Sequence, residues 1–402
     1  MEPIYFINRE TKKINNQENS VYYRCFMFIQ HILFKITGIS PWTMDTSVIF
    51  RNNKDFENNN FHCSFSYSGS CYNIILSAFI VFLTFYDISY NSSSQINSDK
   101  MLESITAKVE YSSLLFASLI PIIYIIRQKL LINVNNMFKI IDNKLNSCAD
   151  YETENNYTNY FVFILNVIVT SGIITLRIMT FESLTVLFVR NSAYFISSWV
   201  TIQYVLLLNM IYKRFKGINS TLSKLGTNRS VISRSHESVI DDINKIKFAY
   251  LKLSDMCEDT ETFYGLSILI SIFILAVKSI FMLYQIILIS LHVHAIDDNT
   301  YLFIIFLLRN VSLYMILTTN VTKIMKQNKD TSKIINLLRD RYSMDERIEK
   351  KLTKFSVNLL HLRVEFTACD IIPLDRTLLA IITGTTATYL IIVVQFYIND
   401  LN

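Results

Sequence analysis

The chain has 402 residues, of which 51% are hydrophobic and 18% charged, with a mean hydropathy of +0.30. Soluble domains carry about 25% charged residues, so a soluble multidomain protein is excluded, and a net charge of +5 is too small to point to nucleic acid. Its seven glycines form neither GxGxxG nor GxxxxGK, and its six cysteines and six histidines form no CxxC and no HExxH, which removes nucleotide enzymes, zinc sites and metalloproteases of those kinds.

In chain order, the segment 1–71 opens on MEPIYFINRE, without the charged-then-apolar pattern of a signal sequence, and is expected to be a cytosolic leader. A helix needs about 20 mostly apolar residues to cross a bilayer. Seven stretches meet or approach that length: Tyr72–Tyr90, Ser112–Asn133, Tyr160–Thr180, Tyr194–Tyr212, Phe263–Leu291, Tyr301–Val321 and Arg376–Ile398. The expected fold class is therefore all-α, a polytopic membrane protein with seven transmembrane helices. Placing the N-terminus inside puts 31 Lys and Arg on the cytosolic side and three outside. The positive-inside rule then gives a cytosolic N-terminus and an extracellular C-terminus, the inverse of G-protein-coupled receptors.

Away from the span ends, three cations, Arg177, Lys278 and Arg309, fall inside the spans, where each costs about 2.5 to 3.5 kcal/mol at mid-bilayer unless paired or hydrated. Arg177 can reach outward toward Glu182. Lys278 and Arg309 face no intramembrane acid on neighbouring spans, which leaves a water-filled pocket or an anionic or carbonyl-bearing ligand as their partner. His292, His294, Asp297 and Asp298 are expected in a solvated outer loop, and no metal site is expected.

Between the sixth and seventh spans, Ile348, Leu352, Phe355, Leu359, Leu362 and Phe366 recur at spacings of 4, 3, 4, 3 and 4, an apolar seam of heptad period. Such a helix can pack on the chain's own cytosolic helices or on another subunit. Pro373 ends the seam, and Asp375 is placed to cap a separate seventh span. On that span Thr377, Ile381, Gly384, Thr388, Ile391 and Gln395 repeat the same spacing. The face carries small and polar members, which suits either close helix packing or a pore wall.

Thr388-Tyr389-Leu390-Ile391-Ile392-Val393-Val394-Gln395-Phe396 matches, without a gap, the TYhhhhhQF signature (h, hydrophobic) of insect gustatory receptors, and Phe366-Thr367-Ala368-Cys369, Leu374-Asp375 and Leu378-Leu379 resemble the same family's C-terminal pattern. The motif covers roughly 30 residues; the seven spans and inverted orientation extend the likeness loosely over the chain. The resemblance implies a ligand-gated, non-selective cation channel in the plasma membrane of sensory neurons, assembled as a homotetramer or as a heteromer with related receptors, with a small-molecule tastant and membrane lipid as partners and no cofactor. It implies a pore and gate at Gln395, Phe396, Ile391, Thr388 and Tyr389, and a subunit anchor in the seam from Ile348 to Phe366. The domain plan that follows is a leader (1–71), six spans with an outward-facing ligand pocket (72–321), cytosolic anchor helices (322–375) and a pore-lining seventh span (376–402).

The pocket is expected among the outer ends of spans two to six, where the sequence offers Tyr111, Arg177, Tyr194, Trp199, Lys278, Tyr284, Gln285, Tyr301 and Arg309. Two departures from the family pattern precede the last span, Asp370 where Gly is frequent and Ile372 where an aromatic is usual. Leu390 stands where sugar receptors tend to carry Glu. The alternatives are an odorant-receptor-type channel of the same superfamily and a secondary transporter; the latter lacks its internal repeat here, and no cluster of acid, base or nucleophile suggests an enzyme.

Overall fold

The computed structural model describes residues 25–44, 63–94, 101–148, 151, 158–179, 184–225, 236–291, 298–362 and 364–401. Its helices are α1 (Cys25–Ile36), α2 (Tyr67–Ser94), α3 (Met101–Ile126), α4 (Gln128–Asn146), α5 (Thr158–Met179), α6 (Leu184–Leu225), α7 (His236–Leu291), α8 (Asp298–Arg341), α9 (Glu346–His361) and α10 (Thr377–Leu401). Two small antiparallel pairs join them: β1 (Thr43–Met44) with β2 (Cys63–Ser64), and β3 (Thr367–Ala368) with β4 (Ile372–Pro373).

Among the described residues, six of the seven apolar stretches each fall on one helix, and the second is divided between α3 and α4. Among the described residues, five helices are long and apolar enough to cross a membrane, while the apolar parts of α5 and α10, Tyr160–Leu176 and Thr377–Ile392, are shorter. Most exposed side chains of α2 are apolar or aromatic, among them Ile75, Phe82 and Phe85 at 58 to 67% exposure, as suits a helix solvated by acyl chains.

Helix α7 runs 56 residues, about 84 Å at 1.5 Å per residue, nearly three times the ~30 Å hydrocarbon thickness. Its first half is charged on one side and apolar on the other, and its second half is mostly apolar, with Lys278 as its single charge. Helices α6 and α8 share this division, so their extensions build a second, water-facing bundle. There Phe215, Ile218 and Leu222 of α6 meet Ile246, Tyr250 and Leu253 of α7 and Ile324 and Ile335 of α8, all 0 or 1% exposed. Arg214 seals one flank, donating to both carboxylate oxygens of Asp142 at 2.9 and 2.6 Å with its guanidinium over the Phe138 ring.

The second expected span was placed at Ser112–Asn133, but the helix stops at Ile126. Arg127 leaves helical geometry, and its guanidinium donates to the carbonyls of Thr262 and Phe263 on α7. The chain resumes as α4, whose Leu131, Val134, Phe138, Ile141 and Leu145 are buried at helical spacing. This is an amphipathic helix, and its charges make it a poor continuation of a span.

The seam expected between subunits is buried in its own chain. Ile348, Leu352, Phe355 and Leu359 of α9 are 1, 0, 0 and 8% exposed against α7 and α8. Leu362 is half-buried on the same core. The helix also ends at His361, so Phe366 belongs to the strand connection, where it is nonetheless 2% exposed. Asp345 caps α9 by accepting the N–H groups of Arg347 and Ile348 and also meets His236 Nδ1 at 2.6 Å. The Ile348 N–H, followed by these other donors, holds its carboxyl below the usual range.

An irregular segment at 37–42 is buried inside the bundle and needs partners for its carbonyls. Asn73 donates to the Gly38 carbonyl at 2.6 Å, Gln203 to that of Ile39 at 3.0 Å and Gln128 to that of Pro41 at 3.0 Å. Gly69 is required by this approach, since a Cβ there would stand 2.1 Å from the Pro41 carbonyl oxygen.

Candidate functional site

Two of the in-span cations, Lys278 and Arg309, lie in separate polar clusters around α7 and α8. Lys278, 7% exposed, donates to Glu110 Oε1 at 2.7 Å. This corrects the expectation that Lys278 has no acid nearby: α3 begins at Met101, well before the expected start at Ser112, and carries Glu110 into the helix bundle. The adjacent Tyr111 donates to Asp87 of α2 at 3.0 Å. Close by, Asn310 of α8 donates to Ser279 of α7 at 2.9 Å, tying the two long helices together.

Arg309 has a different environment. It is 6% exposed; Nε and Nη2 donate to Asn166 Oδ1 at 3.2 and 2.6 Å, and Nη2 also donates to Thr170 and Ser198 at 2.9 Å each. Its guanidinium carbon sits 4.9 Å from the centroid of the Tyr194 ring, a cation–π contact. All four hydrogen bonds end on neutral oxygens, so the charge is solvated by dipoles and not cancelled. Asn166 and Thr170, four apart, project from one face of α5, while Tyr194 and Ser198, also four apart, do so from α6.

Arg309 and Asn166 line a cavity of about 240 Å³ between α5, α6 and α8, whose other walls are mostly apolar. A second cavity of about 220 Å³ lies between α1, α4 and α6, with His31, Trp42, Asp142 and Arg214 among its lining residues. Burial, followed by the Lys35 charge, lowers the His31 pKa to about 4.

Of the expected pocket residues, Tyr194 and Arg309 meet directly, while Lys278 pairs with Glu110, the chain neighbour of Tyr111, whose own hydroxyl donates to Asp87. Trp199 is 2% exposed but turns toward Phe34 and Phe163, with ring centroids at 6.0 and 5.5 Å, and so belongs to the core packing. Tyr284 is buried on α7, Gln285 is half-buried and Tyr301 is 57% exposed at the start of α8. Arg177 lies outside the described side chains, as does Phe396, and 292–297 lie outside the described residues. Sequence reading missed Glu110, Asn166, Thr170 and Ser198. The available signal was the pair Asn166 and Thr170, two polar residues on one face of an otherwise apolar stretch.

Helix α10 is rooted by Leu374 and Leu378, which are 1 and 0% exposed. From Thr383 onward its described side chains are exposed or half-exposed, including Thr388, Tyr389, Ile391 and Gln395. The threonines satisfy themselves: Thr385 and Thr388 donate to carbonyls of the preceding turn, those of Ile381 and Gly384, at 2.9 and 3.0 Å. The turn ahead of the helix places Cys369 and Asp370 at φ of 56° and 57°, and the Asp375 carboxylate accepts the Thr377 N–H at 2.9 Å.

The family described as 7tm Chemosensory receptor matches residues 27–400. The chain belongs to that family. It is a family of receptors and not of enzymes. The chain is 34% identical over 104 residues to a Drosophila melanogaster protein carrying the name gustatory receptor 28b, covering 25% of this chain and 22% of that one. To gustatory receptor 28a of the same organism it is 26% identical over 191 residues, covering 46% and 41%. These matches thus span less than half of the curated relatives. The fold is that of the insect olfactory receptor OR5 from Machilis hrabei, with a TM-score of 0.62 at 13% identity over 94% of this chain and 100% of that one. The same receptor in complex with eugenol aligns with a TM-score of 0.58 at 11% identity.

Proposed function

We infer that the chain is a gustatory receptor acting as a ligand-gated, non-selective cation channel in the plasma membrane of sensory neurons, and that it assembles as a homotetramer or with related receptors. Family membership across 27–400 and the Drosophila gustatory relatives support this reading. The observation that carries it is the exposure of α10: an apolar helix bearing Gly384, Thr388 and Gln395 has almost no cover from its own chain beyond its root. A lipid-facing helix has no use for a carboxamide, whereas four copies around an axis would set Gln395 amides where they hydrate a cation without trapping it. The inward-facing N-terminus rests on the 31-to-3 charge count.

The ligand site in this reading is the cavity that ends on Arg309 and Asn166. Its polar end converges from three helices, so a ligand seated there can change how α5, α6 and α8 pack, and α8 also contacts α10.

The pore assignment is tested with single cysteines. Gln395→Cys should react with a charged thiol reagent added outside and change the agonist current, while Val393→Cys, about 160° around the helix, should respond less. Equal insensitivity in a receptor shown to conduct removes Gln395 from the pore. Calcium imaging of expressing cells against sugars, alkaloids and volatiles tests the gustatory role; activation by volatiles alone would move the chain to the odorant-receptor reading.

A further inference from the structure

Two unmatched groups meet at the polar end of the cavity between α5, α6 and α8. The first is the Arg309 charge, held by four hydrogen bonds to neutral oxygens with no carboxylate among its partners in the described residues. Lys278, the other cation at similar burial, has its acid in Glu110. The second is the Asn166 amide. Its Oδ1 takes two Arg309 N–H bonds, but its Nδ2 donates to no described residue although Asn166 is only 5% exposed. A buried donor without an acceptor is expensive, and here it lies beside a cation without an anion among the described residues.

The rest of the cavity has the opposite character. Its wall includes Val162, Val169, Ile202 and Leu313, and its rim is formed by Leu165, Ile305 and Leu308, which are 39, 37 and 64% exposed. Those rim residues stand on the outer surface of the helices, where acyl chains pack. From Arg309 to Ile316 the lining follows α8 for about 10 Å, the reach of roughly eight to ten methylene carbons.

We propose that this cavity binds a carboxylate-headed amphiphile, a medium-chain fatty acid, which enters sideways from the bilayer and seats its head on Arg309 and Asn166. The proposal rests on reading this cavity as the receptor's ligand site. A carboxylate is an acceptor-only, planar anion, so it supplies the missing charge and the missing acceptor together. A sugar would bring hydroxyls to walls that cannot bond them. A protonated alkaloid would bring a second positive charge to Arg309.

The test uses the full chain in lipid nanodiscs and a decanoic acid probe carrying a photoactivatable diazirine, displaced by unlabelled decanoic acid, decanol or decyl phosphate. Decanoic acid should displace the probe at concentrations at least tenfold below decanol, with labels on α5 or α8. Arg309→Gln should abolish that preference and Arg309→Lys keep part of it. Leu308→Trp, which narrows the mouth from an exposed position and leaves the polar end intact, should reduce labelling; it serves if Arg309→Gln fails to fold. Equal displacement by acid and alcohol, or an acid preference that survives Arg309→Gln, overturns the proposal. Better displacement by decyl phosphate overturns the carboxylate assignment in favour of a phosphate headgroup. Binding here needs no current. Labelling as expected in a protein that no compound opens would sink the channel reading and leave this one, whereas robust currents without labelling would do the reverse.

Discussion

Lys278 and Arg309 are both buried cations on neighbouring helices, yet they solve the desolvation problem in different ways. Lys278 has a full counter-charge in Glu110, so removing one partner leaves the other ionised and unpaired. Glu110→Gln should destabilise the receptor by about 3 kcal/mol, read as a lowered melting temperature in detergent. The double variant Glu110→Leu with Lys278→Met should recover most of that loss, because no charge is then left buried; a double variant as unstable as the single would show that the pair is not what stabilises the site. Asp370 presents a different residue-scale problem. Its φ of 57° lies in the left-handed region, which an L side chain enters at a cost of about 1 to 2 kcal/mol. Asp370→Gly, which removes the side chain that disfavours this φ, should raise the melting temperature; an unchanged or lower value would mean that the Asp370 carboxylate, 3.3 Å from the Thr367 hydroxyl, offsets the strain.

At the scale of elements, α9 shows what periodicity can and cannot decide. A heptad seam requires a partner surface but is silent about whose surface it is, and here the extensions of α7 and α8 already supply it. Phe355 is fully buried, with its ring 5.6 Å from that of Tyr250. Phe355→Ala should cost about 3 to 5 kcal/mol of stability, measured by thermal unfolding, without a specific loss of oligomer at temperatures where the chain stays folded. Oligomer loss with an unchanged melting temperature would return the seam to the subunit interface. Helix α1 offers an element-scale pH dependence. His31 titrates near 4 in the folded chain against 6.5 when unfolded. Full stability is therefore present above pH 6.5 and is lost progressively down to about pH 4, as the unfolded state takes up a proton that the folded one excludes. His31→Asn should flatten the fall in melting temperature across that window; an identical slope in the variant would discard the assignment.

For the whole molecule, the charge count makes an orientation prediction that side-chain geometry cannot make. An epitope at the N-terminus should be reached only after permeabilisation and one after Asn402 on intact cells; the reverse result would invert every inside and outside assignment above. The helical architecture and the apolar stretches were legible in the sequence because bilayer thickness and the backbone's need for internal hydrogen bonds leave a long apolar run little alternative to a helix. The C-terminal motif was legible for the same reason that it is short: it sits on one helix and needs no distant partner. Pairings between helices were not legible, since nothing local in the sequence shows that Glu110 reaches Lys278 across 168 positions or that Asn166, Thr170 and Ser198 converge on Arg309. Nor could spacing show that the α9 seam turns inward and that α10 stays bare. Those outcomes depend on how far α6, α7 and α8 extend beyond the apolar stretches, and so on which surfaces the chain can cover by itself.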